Sequence, residues 1–218
     1  MTRLASVVMS EQRDTSRAPR RMTPKRRREQ LVTAALELYG RLPPEEVAVE
    51  DVTRAADCSR ALFYRYFPNV ESLHIAALGT VVEELIDRVA MPAAGDHDAR
   101  LSLETQLRGA VDAFLDVAQR HARAYVALLR SGSVISTGET DALVDGVRDH
   151  IVDLLVLRGG VADPSPLQLM TLRGWVALVE GATLTWLEQG EVGRQVMRDW
   201  LVAQLFALLE VTARYDPR

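Results

Sequence analysis

Apolar residues along this chain recur at every third or fourth position from Leu31 to about Leu208. Nowhere do they alternate with polar ones over the four to eight residues that mark a half-buried strand. A period of 3.6 with no period of 2 leaves helix-on-helix packing as the route to a core, so the fold class is all-α. The content of hydrophobic residues, 48% over 218 positions, is ample for such a core and excludes disorder of the whole chain. No apolar run reaches the roughly 20 residues that span a bilayer, and Leu4 to Met9 is too short for a signal peptide, so no membrane partner and a cytoplasmic location are expected.

The punctuation divides the pattern into about nine helices. Residues 1–22 are polar, Arg-rich and without periodicity, and read as a disordered basic arm, with Met9 and Met22 as alternative starts. Thr23-Pro24 then places a capping residue before a proline at the first helical position, and Leu31, Ala35 and Leu38 follow at helical spacing to a stop near Gly40, beyond which Pro43-Pro44 bars continuation. Val49, Val52, Thr53 and Ala56 form a short second helix, with Glu50 and Asp51 at its positive end. Asp57-Cys58-Ser59 reads as a turn in which Ser59 caps a third short helix, Arg60 to Tyr66, broken by Phe67-Pro68-Asn69. A fourth helix from about Val70 to Arg88 carries Leu73, Ala77, Val81 and Leu85. After a loop at 91–99, further helices are expected at about 100–119, 122–130, 140–158, 165–188 and 192–213, with loops at 131–138 and 159–166.

The net charge of −4 conceals a segregation that matters more than its average. Residues 1–68 hold 13 Arg and Lys against 9 Asp and Glu, whereas residues 69–218 hold 13 against 21. A basic N-terminal portion can contact phosphates while an acidic remainder faces away. Two short helices across a three-residue turn, the second rich in Arg and Tyr, form a helix-turn-helix pattern. Such a unit needs a turn residue that tolerates positive φ, a small plug between the helices, and an exposed second helix that fits the major groove. Cys58, Phe63 and Phe67 can supply the apolar underside with Val52 and Ala56, which leaves Arg60, Ala61, Tyr64 and Arg65 outward. Arg60 can fork onto guanine O6 and N7, and the Tyr64 hydroxyl can reach a phosphate.

The run Asp57-Cys58-Ser59-Arg60-Ala61-Leu62-Phe63-Tyr64-Arg65-Tyr66-Phe67-Pro68-Asn69-Val70-Glu71-Ser72-Leu73, with Val49 to Ala56 upstream, resembles the TetR (tetracycline-repressor-like) family of transcriptional regulators over about residues 25–78. The resemblance implies a DNA-binding domain at 23–69, an effector-binding and dimerisation domain at 70–218, and DNA contacts from Ser59, Arg60, Ala61, Leu62, Tyr64, Arg65 and Tyr66. It also implies double-stranded DNA as partner, a homodimer, and release from a pseudo-palindromic operator by a small-molecule effector. Asp57 stands where glycine is usual, Ala48 and Leu62 where threonines are, and Val70 where a lysine commonly touches phosphate. Arg17 to Arg28 are expected to compensate, so that deleting residues 1–21 weakens binding and flattens its salt dependence.

In relatives the effector pocket lies among helices four to eight, where this chain offers Phe114, Tyr125, Leu128, Leu129 and Trp175, each of which also suits ordinary core. An apolar lining calls for an apolar or aromatic effector. The segment 174–186 is apolar around most of its circumference: Gly174, Leu178, Gly181 and Thr185 share one stripe, and Trp175, Val179, Ala182 and Trp186 the next. In the family the last two helices pair across a two-fold axis, which points to the first stripe together with Leu201 and Leu205 as the dimer interface, with Trp200 and Leu208 beside them.

Cys58, the lone cysteine, reads as core filler in preference to a redox sensor, and Lys25 to Arg28 fit a solvated first turn as well as a phosphate contact. His74, His97, His121 and His150 show no ligand spacing, so no metal, cofactor or catalytic residue is expected. An enzyme lacks its motifs here. The alternative function is a helical scaffold or small-molecule or lipid binder without DNA activity. Repression is preferred to activation because a small dimer acts most simply by blocking polymerase.

Overall fold

A computed structural model of the chain describes residues 22–89, 102–129 and 138–216, apart from the side chain of Leu128. Residues 1–21 of the expected arm, the expected loop at 91–99 and residues 131–137 of the expected 131–138 loop lie outside the described residues, whereas Gly138, expected in that loop, begins a helix. The described residues form nine α-helices and no strand: α1 Pro24–Tyr39, α2 Val49–Ala55, α3 Arg60–Tyr66, α4 Val70–Val89, α5 Leu103–Arg120, α6 Ala122–Leu129, α7 Gly138–Arg158, α8 Pro166–Gln189 and α9 Arg194–Tyr215. A single 3-10 turn, Pro44–Glu46, fills what the prolines left as a break.

Local chemistry sets most of the boundaries. The Thr23 hydroxyl accepts the Arg26 amide at 3.3 Å and Pro24 starts α1. Ser102 accepts from the Thr105 amide at 3.2 Å, which places the start of α5 at Leu103, later than the periodicity alone implies. At α8, Ser165 and Gln168 form a reciprocal capping box: the Gln168 amide donates to Ser165 Oγ (3.1 Å) and the Ser165 amide to Gln168 Oε1 (2.8 Å). Gly190, at φ +68°, ends that helix in the left-handed conformation that glycine adopts without penalty.

Two large apolar cores result, with Leu78 of α4 and Ala127 of α6 forming a small third cluster against Leu143 of α7. The N-terminal one joins Leu31 and Ala35 of α1, Val52 of α2, Phe63 of α3 and Phe67 to Leu73 and Ala77 of α4 and Ala124 of α6. This core extends past residue 69, so the first two turns of α4 belong to it. The second core gathers Leu107, Val111 and Leu115 of α5, Val152 and Leu155 of α7, Leu172, Trp175 and Val179 of α8, and Leu201 and Leu205 of α9. A charged seam ties the outside together: Arg194 of α9 reaches Asp112 (3.2 Å) and Asp116 (3.0 Å) of α5, and Arg88 of α4 reaches Asp116 at 3.3 Å.

Candidate DNA interface and interior cavity

The helix-turn-helix is built around one unusual backbone position. Asp57 has φ +46°, the only non-glycine residue with positive φ among the described residues, and it lets the chain reverse between α2 and α3. The Cys58 amide then donates to the Thr53 carbonyl at 2.9 Å, and the Ser59 hydroxyl accepts the Leu62 amide at 3.1 Å to start α3. Cys58 is partly buried against the N-terminal core. Burial pushes its thiol up, with Asp57 adding and Arg27 opposing, so the group is a poor thiolate and suits the role of a plug. Although Ala48 has no side-chain acceptor, α2 is not left uncapped, since the Ala48 amide donates to Asp51 Oδ2 at 3.1 Å.

Phe63 and Phe67 face inward, at 0% and 2% exposure. Ser59, Arg60, Ala61, Tyr64 and Arg65 are exposed along the opposite side of α3, with Leu62 and Tyr66 half-buried at its flanks. The sequence-derived set is thereby brought onto one face and its edges, with Tyr66 packed partly against the core. Periodicity did not reveal that Arg60 is already engaged: its Nη2 lies 2.7 Å from Glu50 Oε1 of α2. A contact across ten residues and a reversed turn leaves no periodic trace. In the basic run of α1, Arg28 sits over the Phe67 ring (4.9 Å) and Arg27 donates to Gln30 Oε1 (2.8 Å), while Gln30 Nε2 donates to the Ala56 carbonyl (3.0 Å) and so ties α1 to the turn. Part of this run therefore braces the motif.

A second feature is a cavity of about 150 Å³ lined by α4, α5, α6, α7 and α8. Phe114, Tyr125, Leu129 and Trp175 line it as the sequence indicated, whereas the side chain of Leu128 lies outside the described residues. Phe114 and Tyr125 meet edge to face, with centroids 6.0 Å apart, and the Trp175 indole is held by donation to the Leu201 carbonyl at 2.9 Å. Sequence reasoning missed the walls supplied by α4 (Leu78, Val81, Val82, Leu85, Val89) and by α7 (Val144, Val147, Ile151, Leu154). Their helical spacing was visible, but an apolar stripe facing a void reads the same as one facing a neighbour. Besides Tyr125, the side chains of His121, Arg148 and Glu180 interrupt the apolar lining, the last two joined as a bidentate pair (Nε to Oε1 3.0 Å, Nη2 to Oε2 2.7 Å).

On the outer surface, Gly174, Gly181 and Thr185 of α8 are exposed and Leu178 is half-buried; a Cβ at either glycine would meet nothing within 4 Å. Leu201 and Leu205, expected at this surface, are not part of it. Both point into the chain's own core, at 0% and 4% exposure. The apolar face that α9 leaves uncovered is made by Val196, Trp200, Ala203, Ala207 and Val211. Because α9 is apolar on two sides, periodicity could not tell the inward side from the outward one. Among the described residues no group of three or more His, Cys, Asp or Glu could hold a metal ion, and no helix is long and apolar enough to cross a membrane.

These features have counterparts in known proteins. Residues 31–77 match the family model for bacterial regulatory proteins of the tetR family, and residues 103–208 match the tetracyclin repressor-like C-terminal domain. A tetR-family transcriptional regulator from Streptomyces coelicolor is 32% identical, with 90% of this chain and 86% of that one covered and a TM-score of 0.83. NalD from Pseudomonas aeruginosa, described as the secondary repressor of the MexAB-OprM multidrug efflux pump, shares the fold at 20% identity (84% and 96% covered, TM-score 0.60). The multidrug binding protein EbrR, in complex with imidazole, does so at 22% identity (87% and 95% covered, TM-score 0.62). Among curated proteins no significant sequence match was found. A helix-turn-helix with its turn, cap and exposed basic helix in register, followed by the matching helical domain, identifies this chain as a member of the TetR family of transcription regulators.

Proposed function

We propose that the chain works in the cytoplasm as a homodimeric repressor that binds a pseudo-palindromic operator and leaves it when an apolar small molecule occupies the interior cavity. The observation that carries this reading is the double role of α4. Leu73 and Ala77 are packed in the core that holds α3, and Leu78, Val81 and Leu85, on the turns that follow, line the cavity. A ligand that displaces the distal part of α4 moves the reading helix with it, because one continuous 20-residue helix connects the two. Arg60 supplies base-edge contact, Tyr64 and Arg65 supply phosphate and flanking contacts, and Ser59, Ala61, Leu62 and Tyr66 shape the helix surface.

Dimerisation rests on the uncovered apolar faces of α8 and α9, where Met170, Val196 and Trp200 are 68%, 64% and 44% exposed beside Gly174, Leu178, Gly181 and Thr185. Two such faces related by a two-fold axis form a four-helix bundle and space two copies of α3 for successive major grooves. The names of NalD, a repressor, and EbrR, a multidrug binding protein, are consistent with this direction of control and with an apolar effector. Selection from a randomised duplex library at near-physiological salt tests the reading. Enrichment of an inverted repeat is expected; a folded dimeric protein that enriches nothing would favour a ligand-binding scaffold without DNA activity.

A further inference from the structure

The cavity has a shape and a polar inventory that narrow its ligand, on the reading that it is the effector site. Its lining runs from Leu78 to Val89 on α4, from Leu107 to Ala118 on α5 and from Val144 to Leu155 on α7. Each stretch advances eleven residues, or about 16 Å at the α-helical rise. A wall that runs for about three helical turns along each of α4, α5 and α7 offers room for an extended, unbranched chain.

The charges on its wall are already neutralised by the protein. Arg148 is held by Glu180 through two hydrogen bonds and by Asp145 at 2.8 Å. His121 Nε2 lies 3.3 Å from Glu84. The Trp175 indole N–H is committed to the Leu201 carbonyl. A charged head group entering here finds no unpaired counter-charge among these groups and gives up its own hydration to an apolar lining, which is unfavourable. The remaining polar group is Tyr125, whose hydroxyl donates to the Glu180 carbonyl at 3.4 Å, the outer limit of a hydrogen bond, and has the Thr183 hydroxyl as its other polar neighbour. Burial, reinforced by Glu180, raises its phenol well above the ordinary value, so it remains a neutral donor and acceptor. We infer that the effector cavity selects an uncharged, unbranched amphiphile, a hydrocarbon chain bearing one neutral oxygen function that hydrogen-bonds Tyr125, and rejects its carboxylate and ammonium congeners.

Calorimetry on the DNA-free protein with hexanol, octanol, decanol, decanoate and decylammonium tests this. Affinity is expected to rise on the order of fourfold for each methylene along the alcohol series. Decanoate and decylammonium should bind at least tenfold more weakly than decanol, and Tyr125→Phe should weaken decanol about fivefold, as for one lost net hydrogen bond. A charged congener that equals or exceeds decanol, an alcohol series without chain-length dependence, or no binding by any of the compounds would overturn the inference. The same compounds added to the protein–operator complex separate this inference from the functional reading. Decanol that binds the free protein without releasing DNA refutes the effector role and leaves the ligand class standing. Release by decanoate or decylammonium, with decanol inert, refutes the ligand class and leaves the effector role intact.

Discussion

Replacing Asp57 by glycine should stabilise the protein, and the size of the effect follows from one torsion angle. At φ +46° an ordinary L-residue costs about 1–2 kcal/mol relative to the right-handed region, with Asp toward the lower end because its short polar side chain tolerates the conformation. Glycine removes that cost but enlarges the entropy of the unfolded chain by about 0.4–1 kcal/mol. The net gain expected for Asp57→Gly is therefore about 0.5 kcal/mol, a rise in Tm of about 1–2 °C for a chain of this size. Alanine keeps the strain and lacks the tolerant side chain, so Asp57→Ala should lose about 0.5–1 kcal/mol. Asp57→Asn keeps the tolerance while removing the charge. Denaturant midpoints measured at one fixed protein concentration should rank Gly above Asn and Asp, with Ala last. Alanine as stable as glycine would refute the assignment of strain to this turn, and asparagine as stable as glycine would attribute the gain to charge.

Further outcomes concern the reading helix, the dimer and the buried histidine. Arg60→Ala should weaken operator binding by about 1–3 kcal/mol in fluorescence anisotropy, whereas Glu50→Gln, which releases Arg60 from its 2.7 Å partner, should strengthen it. Trp200→Glu, placed in the exposed apolar stripe of α9, should leave the protein monomeric in analytical ultracentrifugation where the unmodified chain sediments as the proposed dimer, and a dimer unchanged by it would rule that face out. Burial holds His74 below its ordinary value near 6.5, against an opposing pull from Glu45. The unfolded chain therefore takes up the proton first as pH falls, so stability is full above about 6.5 and declines below it down to the folded value. His74→Phe should flatten the fall in Tm over that window.

What could be read in advance was the part governed by local chemistry. The turn at Asp57, the Ser59 cap and the alternation of Phe63 and Phe67 with Arg60 and Tyr64 are near-neighbour relations, and they returned α3 as Arg60–Tyr66 without adjustment. The placement of Leu201 and Leu205 depended on which of two apolar sides of α9 the chain itself would cover, a tertiary matter invisible to a helical period. The α4 and α7 walls of the cavity escaped for a related reason, since a void between helices is defined by what several of them fail to fill. The Glu50–Arg60 pair and the Arg148–Glu180 pair join residues 10 and 32 positions apart and depend on how helices cross.

The N-terminal core has a consequence for modularity. Leu73 and Ala77, both wholly buried, close the pocket that Leu31 and Phe63 occupy, and Ala124 of α6 covers it further. A reading head cut at residue 69 would present those side chains to water and would not stand as an autonomous fold. Heating should accordingly melt both cores in one cooperative step, and a chimera that transplants this head onto another sensor must carry the sequence through Leu78 and supply a small residue where Ala124 now sits.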